Sequence, residues 1–247
     1  MNKYLISITK NTILNESEEF LVKLKERDRE FYNSISNRKE KGNFWYDLRG
    51  CSFYNLFYEE IIVWSDIVKL PSFALTKKDV QVDTSAYFLF NNDKRLTNKY
   101  LLAFLNSTFS FYYIKLVASA LGNGSFRWKK LFVELIPIKI IDKRLQNLFS
   151  TIVDYIIYLK KQKKENYIIE FFERVIDIAV YELYFKEELH SKGFGILEVL
   201  ESELIPFDNS FETIERVYKK LSDKNHKVAY NVNFIDTLDI VKTIENK

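Results

Sequence analysis

One short stretch, residues 122–130 (GNGSFRWKK), combines side chains that can read and hold an acidic polymer. Gly122 and Gly124 allow positive φ angles and a close approach of the backbone to a ligand. Asn123 and Arg127 carry the paired hydrogen-bonding groups that bidentate contact with a base edge requires. Two lysines follow, and they are suited to phosphate groups beside the bases. The predicted contact residues in this stretch are Asn123, Ser125, Arg127, Lys129 and Lys130.

A purely structural interpretation of the same stretch is also open. Gly-Asn-Gly is an ordinary turn sequence, and Phe126 and Trp128 are two residues apart on a predicted strand. Side chains at that spacing lie on one face of a strand, so both aromatic rings can belong to the core.

The charge distribution supports an acidic partner. Residues 1–140 contain 21 basic and 15 acidic residues, whereas residues 141–247 contain 16 and 19. Within residues 91–130 there are seven basic residues and one acidic residue, Asp93. Such a segment attracts a polyanion, because each neutralised phosphate releases condensed counterions. Lys94 and Arg95 are therefore further candidates for DNA contact. The alternative is a solvated basic face without a partner.

Three more candidates lie outside that segment. Arg49 ends the sequence WYDLR at residues 45–49 and can reach a backbone phosphate, although packing with an Arg49–Asp47 pair explains the same residues equally well. Lys69 and Lys77 lie at predicted turns between strands, where either a DNA contact or a solvated turn is expected.

Hydrophobic patterns predict the elements that position these residues. Short runs rich in β-branched or aromatic residues predict strands of a mixed sheet. These runs are 4–9, 61–68, 72–75 and 86–90. A capped helix is predicted to start at residues 15–19 and to end near Ser36. Another is predicted from the N-cap residue Thr97 to about Ala120, with Gly122 as its stop. A strand is then predicted from Phe126 to Ile136.

The C-terminal pattern is helical. Apolar residues recur at three- and four-residue spacing over 145–159 and 169–183, which predicts two long amphipathic helices joined as a hairpin around residues 160–166. A further helix is predicted at 211–221 and a short strand at 228–234.

Four motifs together resemble a known family. LLAFLNS at residues 101–107 is similar to the family motif LLxxLNS, and LIPI at 135–138 to its LPIP, with Lys139 replacing the second proline. WYDLR at 45–49 and IDIAVYELYF at 176–185 resemble two further motifs. The family is that of target recognition domains of adenine-specific DNA methyltransferases in type IIG and related restriction-modification systems.

The resemblance implies an α+β fold and a division of labour. A DNA target recognition domain at residues 1–139, with a mixed sheet and helices, would be followed by a helical spacer and docking domain at 140–247. The module would bind double-stranded DNA. A methyltransferase catalytic domain or subunit would be its partner and would hold S-adenosylmethionine, so no cofactor is expected in this chain.

Catalytic motifs are absent from the sequence. There is no Asn-Pro-Pro-Tyr or Asp-Pro-Pro-Tyr, no HExxH and no Pro-Asp pair, and with two histidines and one cysteine a metal site has little support. Cys51 cannot form an internal disulfide, and no uncharged run reaches the roughly 18 residues of a membrane span. We therefore expect a cytoplasmic protein with no membrane segment. Two alternatives stay open: an enzyme with an unrecognised active site, and a protein-docking module without DNA readout.

Overall fold

The computed structural model describes residues 22–23, 26–27, 29–39, 54–78, 80, 82 and 85–246. The predicted strand at 4–9, the predicted helix start at 15–19 and the WYDLR stretch with Arg49 lie outside these residues. The chain forms two units. One comprises residues 1–59 and 78–81, and the other comprises 60–77 and 82–247.

The first unit contains helix α1 (Arg29–Ser36) and a 3-10 turn (Tyr54–Tyr58) in its described part. The Ser36 hydroxyl donates to the carbonyl of Asn33 at 3.3 Å. The end of α1 confirms the predicted end of the first helix.

Short antiparallel strands form the sheets of the second unit. The strands are β1 (Ile62–Ser65), β2 (Ile67–Val68), β3 (Ala74–Leu75), β4 (Ala86–Leu89) and β5 (Phe126–Arg127). Strand β1 lies between β3 and β4, and β2 pairs with β5. The strands predicted at 61–68, 72–75 and 86–90 are thus confirmed. The mixed sheet is wrong for the described strands, which all pair antiparallel. The short connection between β1 and β3 requires antiparallel pairing, because a parallel pairing needs a long crossover.

Helices make up most of the rest of this unit. They are α2 (Asn98–Asn106), α3 (Thr108–Val117), α4 (Lys130–Val133), α5 (Lys143–Gln162), α6 (Asn166–Tyr184), α7 (Lys186–Ser191), α8 (Leu197–Glu203), α9 (Phe211–Leu221), α10 (Lys227–Phe234) and α11 (Asp239–Glu245). The α+β class with a helical C-terminal region is confirmed. The proposed domain boundary near residue 139 stays a prediction.

The helix predicted from Thr97 to Ala120 is interrupted at Ser107. Thr97 is the N-cap as expected, since its side chain accepts from the amide of Tyr100. Ser107 is extended, with φ −70° and ψ 155°, and its hydroxyl donates to the carbonyl of Phe104 and accepts from the amide of Ser110. A serine that satisfies both helix ends in this way allows one helix to stop and another to start.

The strand predicted from Phe126 to Ile136 is mostly wrong. Only Phe126 and Arg127 are in a strand, and the amides of residues 132 and 133 bond to the carbonyl of Lys129 to open helix α4. Val133 and Ile136 are both buried, at the three-residue spacing of a helical turn. Pro137 therefore follows a helical turn instead of ending a strand.

The C-terminal helices largely follow the prediction. The hairpin of α5 and α6 turns at residues 163–165, and α9 has the predicted bounds. The strand predicted at 228–234 is wrong, because these residues form α10 with His226 as its cap. Val228, Ala229 and Asn231 are buried there, which matches a helix face packed on α6 better than the alternation of a strand.

One hydrophobic core joins the sheet to the helices. It extends from Ile62 and Trp64 in β1 through the α5–α6 hairpin to Ile244 in α11. Helix α2 packs on α5, where the rings of Tyr100 and Phe149 lie 5.2 Å apart. The strands and loops that carry the candidate residues thus pack on a base of helices. No helix in the described part of the chain has both the length and the apolar character that crossing a membrane demands.

Candidate nucleic-acid interface

The loop after α3 is a tight turn with an exposed tip. Gly124 has φ +78°, a conformation that glycine adopts without strain. The Asn123 side-chain oxygen accepts from the amide of Ser125 at 3.1 Å, and the amide and carbonyl of Leu121 bond across the turn. Asn123 is exposed, so its side-chain NH2 faces solvent while its oxygen shapes the turn. Ser125 is only 5% exposed, which argues against the predicted DNA contact at that residue.

Arg127 leaves the loop on β5 with part of its guanidinium already occupied. Its Nη1 donates to Oδ2 of Asp66 at 2.9 Å, and the Arg127 side chain is 38% exposed. The pairing of β2 with β5 places Arg127 opposite Ile67, next in sequence to Asp66. The other Asp66 oxygen is buried without a hydrogen-bond partner among the described residues. Arg127 is thus a positioned side chain with donors left for a ligand.

Trp128 belongs to the core. Its side chain is fully buried, stacked at 6.1 Å on Phe111 and edge-on to Phe73 at 5.6 Å. Its carbonyl accepts from Nε1 of Trp64 at 2.6 Å, and its amide donates to the carbonyl of Asp66 at 2.7 Å. The structural interpretation of Trp128 is correct, and the ring anchors the loop to β1 instead of facing a ligand.

Four predicted lysines lie around this loop and at the strand turns. Lys130 is exposed and 4.0 Å from Glu134 on the next helical turn, a weak surface pair. Lys129 is half-buried at the N-cap of α4. Lys69 and Lys77 are exposed after β2 and β3. Within the described ranges, Lys69, Lys77 and Lys129 form no ion pair, so they can neutralise phosphate.

In the folded chain, acidic side chains neutralise part of the positive charge of the basic segment at 91–130. Arg95 forms a two-pronged pair with Asp93, and its side-chain hydrogen bonds lower the pKa of Asp93 to about 2. Lys99 pairs with Asp154 at 2.7 Å. Asp154 and Asp66, the partners of Lys99 and Arg127, both lie outside the segment. The count of charges within the segment therefore overestimates its unneutralised positive charge. Lys94 is exposed and without an ion pair in the described part of the chain.

The residues of the LLAFLNS motif build the scaffold. The Asn106 side chain accepts from the amide of Phe73 and donates to the carbonyls of Phe73 and Leu102, so it ties the start of β3 to α2. Gln146, which is fully buried, accepts from the amide of Thr97 and donates to the carbonyl of Arg95. Asn106 of the motif thus holds the segment before β3, and Gln146, which lies outside the motif, holds the turn that carries Arg95.

A groove of about 1090 Å³ runs beside the sheet. Segment 70–77, helices α2 and α3, and the α5–α6 hairpin all line it. Its charged lining residues are Glu60, Lys77, Lys99, Asp154, Lys160, Lys161, Glu173 and Asp177. Two of the lysines are neutralised, Lys99 by Asp154 and Lys160 by Glu173. Lys77 and Lys161 make no ion pair with the described residues. The sequence does not predict this groove, because its walls come from distant parts of the chain.

Asp177 is a half-buried carboxylate in the wall of this groove. It accepts from the amide and the hydroxyl of Thr108, both at 2.7 Å, and so caps the start of α3. The surrounding protein atoms desolvate the carboxyl and raise its pKa from 3.8 to about 6, although the bonds from Thr108 and the charge of Arg174 act in the opposite direction. Folding therefore favours the protonated form.

We expect Asp177→Asn to flatten the pH dependence of stability. Because the folded-state pKa of Asp177 is raised, its contribution to stability is fully present below its ordinary pKa of 3.8 and is lost as the pH rises through about 6. The amide cannot ionise, so the variant should gain about 1–2 kcal/mol of stability relative to the parent between pH 4 and pH 7. This gain is smaller than the pKa shift alone implies, because solvent in the groove screens the carboxylate. Urea denaturation of both proteins across this range tests it. Parallel stability curves would contradict the prediction.

The described residues show no cluster of three or more His, Cys, Asp or Glu side chains that could hold a metal ion. Each histidine instead contacts a glutamate, His190 with Glu182 at 2.7 Å and His226 with Glu203 at 2.8 Å. Glu182 also accepts from the amide of Leu197 at the start of α8. These pairs stabilise the helical region.

Comparison with known protein families now gives the class. Residues 2–138 match the family described as the TaqI-like C-terminal specificity domain, a class of target recognition domain in restriction-modification enzymes. The chain belongs to this TaqI-like family. A comparison with curated proteins returned no match. All ten predicted contact residues, including Arg49, fall inside the matched region. Their individual contacts with DNA stay predictions.

Proposed function

We propose that this chain is the DNA-reading part of an adenine-specific DNA methyltransferase or of a restriction enzyme of type IIG that includes one. It selects the target sequence, and a catalytic domain or subunit that binds S-adenosylmethionine modifies the base. The membership of residues 2–138 in the TaqI-like specificity family carries the proposal. The missing methyltransferase and nuclease motifs agree with a separate catalytic part.

The arrangement of the predicted residues supports this role. Asn123 and Arg127 lie on one loop, each with side-chain donors that face solvent. Hydrogen bonds from such donors to base edges distinguish one base pair from another. The exposed lysines at the neighbouring turns are point charges, which suit backbone phosphates and carry no sequence information.

A docking module without DNA readout is the second candidate. Three exposed leucines favour it: Leu116 on α3 is 64% exposed, and Leu131 on α4 and Leu135 just after α4 are each 51% exposed. Exposed apolar groups of this kind occur where another protein binds. The two roles are separated by whether the chain alone binds duplex DNA.

We expect the full chain to bind double-stranded DNA with an affinity that falls steeply with salt. If about five of the candidate basic residues contact phosphate, the slope of log K against log salt is roughly −4 to −5. Fluorescence anisotropy with labelled duplexes at several salt concentrations measures it. A randomised-site selection on the same protein then tests for a preferred sequence. A flat salt response would contradict DNA binding and favour the docking role.

A further inference from the structure

The last residues of α5 and the connection to α6 carry four lysines within residues 160–164, and this segment is the α5–α6 turn. They are Lys160, Lys161, Lys163 and Lys164, and all are exposed. Two have intramolecular contacts: Lys160 pairs with Glu173 at 2.6 Å, and the ammonium of Lys164 lies 4.1 Å from the ring centre of Phe211. The other two have no ion pair in the part of the chain that the structure describes. Lys161 and Lys163 are therefore available to an external anion.

The backbone of this turn is unusual for its sequence. Lys163 has φ 51° and Glu165 has φ 36°, so two residues with side chains occupy the left-handed region. Glycine or asparagine is the common choice where a helix ends in this conformation. Here the C-cap of α5 is instead an exposed lysine, Lys163. Backbone strain of this kind occurs preferentially at functional sites.

The groove connects this turn with the recognition sheet. Lys161 lines it from the hairpin side, and Lys77 lines it from the segment that follows β3. Asp154 and Glu173 neutralise Lys99 and Lys160, two other lysines of the lining. The remaining acidic lining residues, Glu60 and Asp177, accept hydrogen bonds from Asn98 and Thr108. Lys77 and Lys161, which form no ion pair with the described residues, therefore line the same groove although they are far apart in sequence, and Lys163 follows two residues after Lys161.

We propose that the duplex DNA backbone contacts the α5–α6 turn through Lys161 and Lys163, so that the DNA-binding surface continues from the recognition sheet onto the helical region. This rests on the proposed function. The turn sets affinity and orientation, and the loop at residues 122–130 sets sequence preference, because an ammonium on phosphate reads no base. The net acidity of residues 141–247 does not oppose it, since the four lysines are concentrated at one end of the hairpin.

The test compares two double variants of the full chain. In one, Lys161→Gln and Lys163→Gln remove both charges. Glutamine, like lysine, has an unbranched side chain at the left-handed residue 163. In the matched control, Lys224→Gln and Lys227→Gln remove the same charge from exposed lysines around the α9–α10 connection, which do not line the groove. Thermal unfolding followed by circular dichroism checks that both variants fold. Binding to labelled duplexes is then measured against salt.

The turn variant is expected to lower the salt slope by about two units and to weaken every duplex sequence to a similar degree. The control is expected to change the slope by much less. If the parent binds DNA but the turn variant retains its slope and affinity, or if both variants weaken binding equally, the contact at the turn is overturned while DNA recognition stands. If the parent shows no salt-dependent binding, both proposals are overturned.

Discussion

Trp128→Ala is expected to lower the free energy of unfolding by about 3–5 kcal/mol, because it empties the site of a fully buried indole. The ring fills the space between Phe111 on α3 and Phe73 before β3. Its loss therefore opens a cavity between the sheet and the helix that supports it. The neighbouring loop, which carries Arg127, should become more mobile as a consequence.

Trp128→Phe is the matched variant. It keeps an aromatic ring in the site and removes the indole N–H, which is buried without a hydrogen-bond partner in the described residues. Removing an unsatisfied donor offsets part of the lost packing, so we expect a cost of about 1–2 kcal/mol. Urea denaturation of the three proteins measures both costs. If Trp128→Ala instead retained the parent's stability and lost only DNA affinity, the ring would be a stacking residue and its place in the core would be wrong.

Sequence patterns predicted the elements whose burial repeats regularly. In α5, Leu148, Ile152 and Leu159 recur at helical spacing, and all three are buried. The same holds for Ile169 and Ile176 in α6. These stripes are long enough for periodicity to decide the element, so the hairpin was predicted with its turn in the correct place.

Tertiary contacts, which hydrophobic periodicity does not encode, determine the secondary structure of the short segments. Ser107 splits one apolar run into two helices by bonding to backbone groups on either side of it. After Trp128, the apolar residues up to Ile136 suit a strand or a helical turn equally well, and burial of Val133 selects the turn. Residues 228–234, predicted as a strand, likewise belong to helix α10 because they pack on α6. In each segment tertiary packing overrides local propensity.

The sequence predicted the loop of the candidate site, but it did not predict which of the charged residues are neutralised in the folded chain. The exposed tip at Asn123 and the positive φ of Gly124 followed from the turn sequence. The partners that neutralise Lys99 and Arg127 are 55 and 61 residues away in sequence, so a local count could not include them. The lysines at 160–164 are adjacent in the sequence, but the net negative charge of residues 141–247 gave no indication of a local basic cluster.

Arg127→Ala is expected to cost about 1–3 kcal/mol of binding free energy on the preferred DNA site and to relax the preference at one base pair. The guanidinium is half-exposed and held by Asp66 at 2.9 Å, an arrangement that fixes its direction while donors remain free. Fixing a donor before binding increases its value, because less side-chain freedom is lost in the complex. Arg127→Lys keeps the charge but lacks the planar fork, so it should retain the salt slope and still lose the base preference.

Lys130→Ala provides the contrasting outcome in the same selection. Lys130 is exposed at the start of α4, with only a weak 4.0 Å pair to Glu134, and an ammonium there acts as a point charge on phosphate. Its loss should weaken all sequences equally and reduce the salt slope by about one unit. A randomised-site selection with the parent and the three variants separates the two behaviours. An unchanged base preference in Arg127→Ala, with binding intact, would remove this loop from sequence readout, and the turns at Lys69 and Lys77 would then be the next residues to replace.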